Sequence, residues 1–124
     1  MTDYCDVNVL VGKTLSKIDG GVVGDDVITF TTTEGDRYSM FHFQDCCESV
    51  SIHDIVGDMQ DLVGSEILVA EETTGESPAG WDDVCHDSHT WTFYKFATRK
   101  GYVDIRWLGE SNGYYSESVT FCKV

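Results

Sequence analysis

Apolar and polar residues alternate along most of this chain with a period of two, the spacing of a strand that buries one face. In VITFTTT (27–33), Ile28 and Phe30 fall on one side and threonines fill much of the other. Threonine suits a strand because its branched Cβ packs well on a pleated surface. Glu34, Gly35 and Asp36 read as a turn, after which RYSMFHFQ resumes the alternation. There Phe41 and Phe43 point one way, and Tyr38, Met40 and His42 the other. ESVSIHD sets Val50 and Ile52 against Ser49, Ser51 and His53, so Phe41, Phe43, Val50 and Ile52 are the core candidates of this stretch.

The rhythm changes over residues 54–64. Ile55, Met59, Leu62 and Val63 recur at roughly helical spacing, with Asp58 near the start and Gly64 as a stop. That spacing predicts one short helix or a pair of turns. SEILVAEE then reads as a buried strand. Residues 73–90 hold the only proline and read as one long acidic loop, pinned to the body by Trp81. The last third predicts three strands. Lys100 and Gly101 separate WTFYKFAT from YVDIRWL, in which Val103, Ile105 and Trp107 share a face opposite Tyr102, Asp104, Arg106 and Leu108. Asn112-Gly113 is the strongest short hairpin signal, because both positions tolerate positive φ. It predicts a turn into a last strand in which Tyr115, Val119 and Phe121 alternate with Tyr114, Ser116 and Ser118. Short strands with one short helix make the fold mainly β: an antiparallel β sandwich or partly open barrel, a single domain over residues 1–124.

Charge adds a second signal. Twenty-two acidic against eight basic residues give a net charge of −14, unevenly placed. Residues 1–92 carry 19 acids and 3 bases, whereas residues 93–124 carry 3 acids and 5 bases. Such a field repels nucleic acid and anionic membranes and attracts basic partners. Direct nucleic-acid binding and membrane association are therefore not expected. No apolar run approaches the ~20 residues of a membrane helix. The acidic start, MTDYCDVNVL, lacks the features of an export signal, so a cytoplasmic location is expected. The odd count of five cysteines fits reduced thiols. Cys46 and Cys47 on a strand would point to opposite faces, so no structural disulfide is expected.

Candidate chemistry is thinner. His42, Cys46, Cys47 and His53 form one soft-ligand cluster, and Cys85, His86 and His89 another. Zinc sites use paired ligands at short fixed spacing, and neither cluster supplies a complete set. Buried or incidental thiols explain the cysteines better, so no metal is expected. Asp45 and Glu48 flank the Cys pair and would raise its pKa, against a thiol nucleophile. The common phosphate-binding, nucleotide-binding and hydrolase motifs are absent, so no catalytic residue, no cofactor and no enzyme is expected. The C-terminal turn is more suggestive. Arg106, Glu110, Ser111, Asn112, Tyr114 and Tyr115 bring a cation, polar donors and aromatic faces around one bend. Such a set suits a small planar or phosphate-bearing ligand, although turn chemistry alone accounts for the same residues.

FHFQDCCESVSIHDIVGDMQDLVGSEILVAEE, with WTFYKFATRKGYVDIRWLGESNGYYSESVTF, resembles a family of short, acidic, uncharacterised proteins of bacteriophages and their bacterial hosts. The likeness spans residues 12–121 apart from the 73–89 loop, and is most specific in QDCCE (Gln44, Asp45, Cys46, Cys47, Glu48) and GESNGYYSE (109–117). It implies a phage or prophage origin and a place in the host-cell cytosol, but no activity. Two functions follow. The favoured one is a counter-defence inhibitor (anti-CRISPR-like) that presents an acidic, nucleic-acid-mimicking surface to a basic host defence protein. The alternative is a binder that sequesters a nucleotide-like small molecule in a pocket near residues 44–48 and 106–115. Exposed strand edges also make a homo-oligomer compatible with the chain.

Overall fold

The computed structural model describes residues 3–75, 88–111 and 115–124. Its strands are β1 (Asp3–Tyr4), β2 (Leu15–Gly20), β3 (Val27–Thr32), β4 (Arg37–Phe41), β5 (Ser49–Val56), β6 (Val69–Gly75), β7 (Ser88–Thr98), β8 (Gly101–Ser111) and β9 (Thr120–Lys123). They form the expected antiparallel β sandwich, one sheet ordered β1-β9-β4-β3-β2 and the other β5-β8-β7-β6. Period-two alternation decides which side chains meet between the sheets. Ile28, Phe30, Tyr38, Met40 and Phe121 from the first sheet pack with Val50, Ile52, Tyr94, Phe96, Val103, Ile105 and Trp107 from the second. Val50 and Ile52 are the core residues that the pattern predicts. Phe41 and Phe43 are not. The inner face of β4 is the Tyr38 and Met40 face, in register with Phe30 and Ile28 of β3, and Phe43 stays 51% exposed.

Of the short helix and the turns expected over residues 54–64, the helix does not form and a turn does. β5 runs on to Val56, and only a 3-10 turn, Met59–Leu62, follows, capped by Asp58, whose carboxylate accepts the Gln60 N–H at 2.9 Å. A bulge between Ile52 and Asp54 lets β5 keep pairing, so Ile55 stays opposite Ile105 of β8. The helical spacing is thus a strand end followed by one turn. Residues 63–68 close one side of the sandwich. Gly64 donates to the Leu15 carbonyl (2.9 Å), Ile67 exchanges bonds with Gly12 and Lys13, and Leu68 donates to Ala97 (2.8 Å).

The predicted 73–90 loop is shorter than its composition suggests. β6 extends to Gly75, opposite Trp91, and β7 begins at Ser88, opposite Ser111. Trp81, Cys85 and His86 lie outside the described residues. The predicted last hairpin also differs. β8 has β5 on one edge and β7 on the other, so it has no free edge for the chain that follows. That chain instead crosses to the first sheet, where β9 pairs with β4 and β1. Among the described residues no helix is long and apolar enough to cross a membrane.

Candidate functional site

The Gln44-Asp45-Cys46-Cys47-Glu48 segment leaves β4 and turns back into β5 around one buried carboxylate. Glu48 is 5% exposed, on the same strand parity as Val50 and Ile52. Its oxygens accept from His42 Nε2 (2.7 Å), Gln44 Nε2 (3.1 Å) and the backbone N–H groups of Asp45 and Cys46 (2.9 Å each). The His42 bond, helped by the two backbone donors and opposed by burial, lowers the Glu48 pKa to about 2. Gln44 spends its amide on the same corner, donating to the Glu48 carbonyl at 2.7 Å. The polar groups of this segment are therefore largely consumed in holding its own shape.

A second buried carboxylate lies against it. Glu117 is 8% exposed and accepts from Thr90 Oγ1 (2.7 Å) and Ser111 Oγ (2.5 Å). Residues 115–118 form a strap that crosses β8 at Gly109, so tightly that a Cβ there would lie 2.5 Å from the Glu117 carbonyl oxygen. His42 ties the two halves together: its Nδ1 is 2.6 Å from the Ser118 carbonyl, while its Nε2 holds Glu48. Ser49 and Val50 pair with Glu110 and Gly109. The two segments that carry the family likeness thus meet in space, with Glu110, Ser111 and Tyr115 beside the corner. Asn112 and Tyr114 lie outside the described residues.

Arg106 is not part of this corner. It sits four positions from Glu110 along β8, roughly 13 Å at strand rise. Register lays out the outer face of the second sheet in rows. Val56, Asp104, Lys95 and Glu71 face one another across the four strands, and Asp54, Arg106, Phe93 and Thr73 form the next row. Arg106 Nη2 donates to Asp54 at 2.8 Å. These two rows, Asp54 excepted, line a groove of about 500 Å³. Phe93 stacks on Trp91 (6.4 Å), which His53 meets edge-on (4.9 Å).

His42 and His53 therefore turn to different places, and the soft-ligand residues that lie near one another in the sequence do not gather in space. Among the described residues no group of three or more His, Cys, Asp or Glu could hold a metal. Cys46 and Cys47 are joined as a disulfide, which corrects the expectation of none. They lie in the turn rather than on a strand, so the opposed-face argument does not apply to them. Sequence reasoning missed the roles of His42, Glu117, Lys95 and Phe93. The signal for the acids was available: Glu117, like Glu48, falls on the apolar parity of its segment, beside Tyr115, Val119 and Phe121.

No curated protein and no solved structure matches the chain. The chain belongs to the family described as domain of unknown function DUF7448, whose model matches residues 8–121 and so spans both the polar corner and the strap that closes it.

Proposed function

We propose that this is a non-enzymatic, phage-type binding protein, a counter-defence inhibitor whose acidic surface takes the place of nucleic-acid phosphates on a basic host protein. One observation carries this reading: Glu48 and Glu117 are the only buried acids among the described residues, so nearly all of the negative charge stands at the surface. Several cations are already engaged there, Arg106 with Asp54, Lys123 with Asp36 and Lys17 with Asp19. The resemblance to phage proteins supports the choice of a host defence protein as target. Attraction between exposed charges is screened over ~10 Å at 0.1 M salt, so binding should weaken steeply as salt rises. The test is capture of partners from host lysate on the immobilised protein. A basic nucleic-acid-handling protein should bind at low salt, elute at high salt and be displaced by double-stranded DNA. Capture that is indifferent to salt and to DNA would overturn the reading.

The groove favours a second reading. It offers Arg106, an exposed Lys95 and a half-buried aromatic face, Phe93, in a chain that is otherwise acidic. A ring stacked on Phe93 with an anionic group at Arg106 would make a nucleotide-like small molecule its ligand. Of the expected pocket near residues 44–48 and 106–115, this reading keeps Arg106 and sets aside residues 44–48, whose polar groups are largely engaged with one another. Cyclic and linear nucleotides should raise the melting temperature of the protein but not of Arg106→Ala. No shift across the panel would remove this reading.

A further inference from the structure

β6 is an edge strand, bonded to β7 along its length and, among the described residues, to nothing on its other side. The chain hydrogen-bonds that edge only before the strand begins, where Gly12 donates to the Ile67 carbonyl and Ile67 donates to Lys13 (2.8 Å each); the 3-10 turn Val7–Leu10 lies beside β6 with no backbone bond to it among the described residues. From Val69 to Gly75 the outward row of N–H and C=O groups is open among the described residues, and residues 71–75 are all exposed. An open edge of this length is a template for one more strand.

Charge decides which strand fits. Glu71 stands on the outer face, in register with Lys95, and Glu72 on the opposite side, where it accepts a hydrogen bond from the Tyr94 hydroxyl. Glu71 and Glu72 therefore border the edge from opposite faces. A second copy of this chain would set Glu71 and Glu72 against their own counterparts, and like charges on neighbouring strands destabilise the pair. A lysine- or arginine-rich strand meets opposite charge on both faces while satisfying the open backbone groups.

We propose that the outer edge of β6 takes an extended, basic segment of the partner as an added strand. The proposal rests on the acidic-surface reading and adds that the partner is recognised through its backbone as well as its charge. Extended basic tails and arms, rather than folded basic faces, are then the part of the partner that this protein captures.

Short synthetic peptides test it on the whole protein: one rich in lysine and threonine, the same peptide with alternate backbone amides N-methylated, and one with glutamate in place of lysine. The plain basic peptide should bind, slow hydrogen exchange of the outward amides of β6 roughly tenfold, and lose affinity as salt rises. N-methylation should weaken it by about tenfold or more, because it removes ladder bonds and leaves the charge unchanged. The glutamate peptide should not bind, and Glu71→Lys should weaken the basic peptide. Equal affinity of the methylated and plain basic peptides would overturn the edge proposal and leave the acidic-surface reading standing. Failure of both basic peptides to bind at low salt would overturn the two together.

Discussion

Gly109→Ala is the sharpest perturbation of the polar corner, because it acts on the strap without touching either carboxylate. The added methyl would lie 2.5 Å from the Glu117 carbonyl oxygen, 2.7 Å from its Cβ and 3.1 Å from its carbonyl carbon, where ordinary contact is 3.4–4 Å. Two of the three atoms are backbone, so no rotamer change relieves the overlap. Either β8 or the strap must move by roughly an ångström, and overpacking of this kind costs about 1–3 kcal/mol. Movement of the strap would also stretch the bonds that Glu117 receives from Thr90 and Ser111 and the contact of His42 with Ser118. Hydrogen bonds to a charged group are worth about 1.5–3 kcal/mol each, so partial loss brings the expected total to about 2–4 kcal/mol. At about 3–6 °C per kcal/mol for a domain of this size, the melting temperature should fall by roughly 6–24 °C. Thermal unfolding followed by circular dichroism reads this directly. Amide exchange should quicken at Glu117 and Ser118 before it does in β3 or β7. A variant that melts within about 2 °C of the parent would show that the strap does not bear on β8 as described.

Three further outcomes follow from buried polar groups. Trp107 is fully buried and its Nε1 finds no hydrogen-bond partner among the described residues, so Trp107→Phe removes an unsatisfied donor with some of the bulk; urea denaturation should show a cost of about 1 kcal/mol, against about 3–5 for Trp107→Ala. The Glu48 pKa is held at about 2 against an ordinary 4.5, so its contribution to stability is complete above pH 4.5 and is lost as pH falls towards 2. Glu48→Gln should flatten that part of the stability-against-pH curve, and equal slopes in parent and variant would contradict the assignment. Burial, then the bond to Glu72, raises the Tyr94 pKa, so its contribution is complete below the ordinary tyrosine range near 10 and is lost as pH rises above it. An ultraviolet titration should find Tyr94 still protonated until the chain unfolds, and Tyr94→Phe should abolish that lag.

The sheets were legible because period two is a local property, and Ile28, Phe30, Val103, Ile105 and Trp107 all lie on the face that the alternation assigns them. What alternation does not say is which of two apolar faces turns inward. Phe41 and Phe43 outweigh Tyr38 and Met40 in hydrophobicity, yet β4 follows its neighbours β3 and β9, whose registers place Phe30 and Phe121 beside Tyr38 and Met40. Strand partners are non-local in the same way. Asn112-Gly113 carries the grammar of a hairpin, but whether β8 has an edge left for one depends on β5, some fifty residues earlier. The candidate site divides along this line. Gln44, Glu48, Glu110, Ser111 and Tyr115 do gather at one corner, whereas Arg106 belongs to a different place because four residues of strand carry it away.

The charge imbalance between the two parts of the sequence becomes an interleaving in space. The bases of residues 93–124 are set among acids of the earlier chain: Lys95 in register between Glu71 and Asp104, Arg106 against Asp54, Lys123 against Asp36. This relieves the self-repulsion that a charge of −14 would otherwise impose on the sandwich. It also sets two bases against three acids in the middle rows of the second sheet's outer face, an interleaving suited to the groove and poorly suited to imitating phosphate. The uncompensated carboxylates lie instead at strand ends, turns and the rim, among them Asp26, Asp45, Asp58 and Glu66, with Glu72 at the edge of β6. On the proposed reading a basic partner would be met at the border of the sheet, where Glu72, unlike Glu71, has no lysine in register and the outward backbone groups of β6 are open among the described residues.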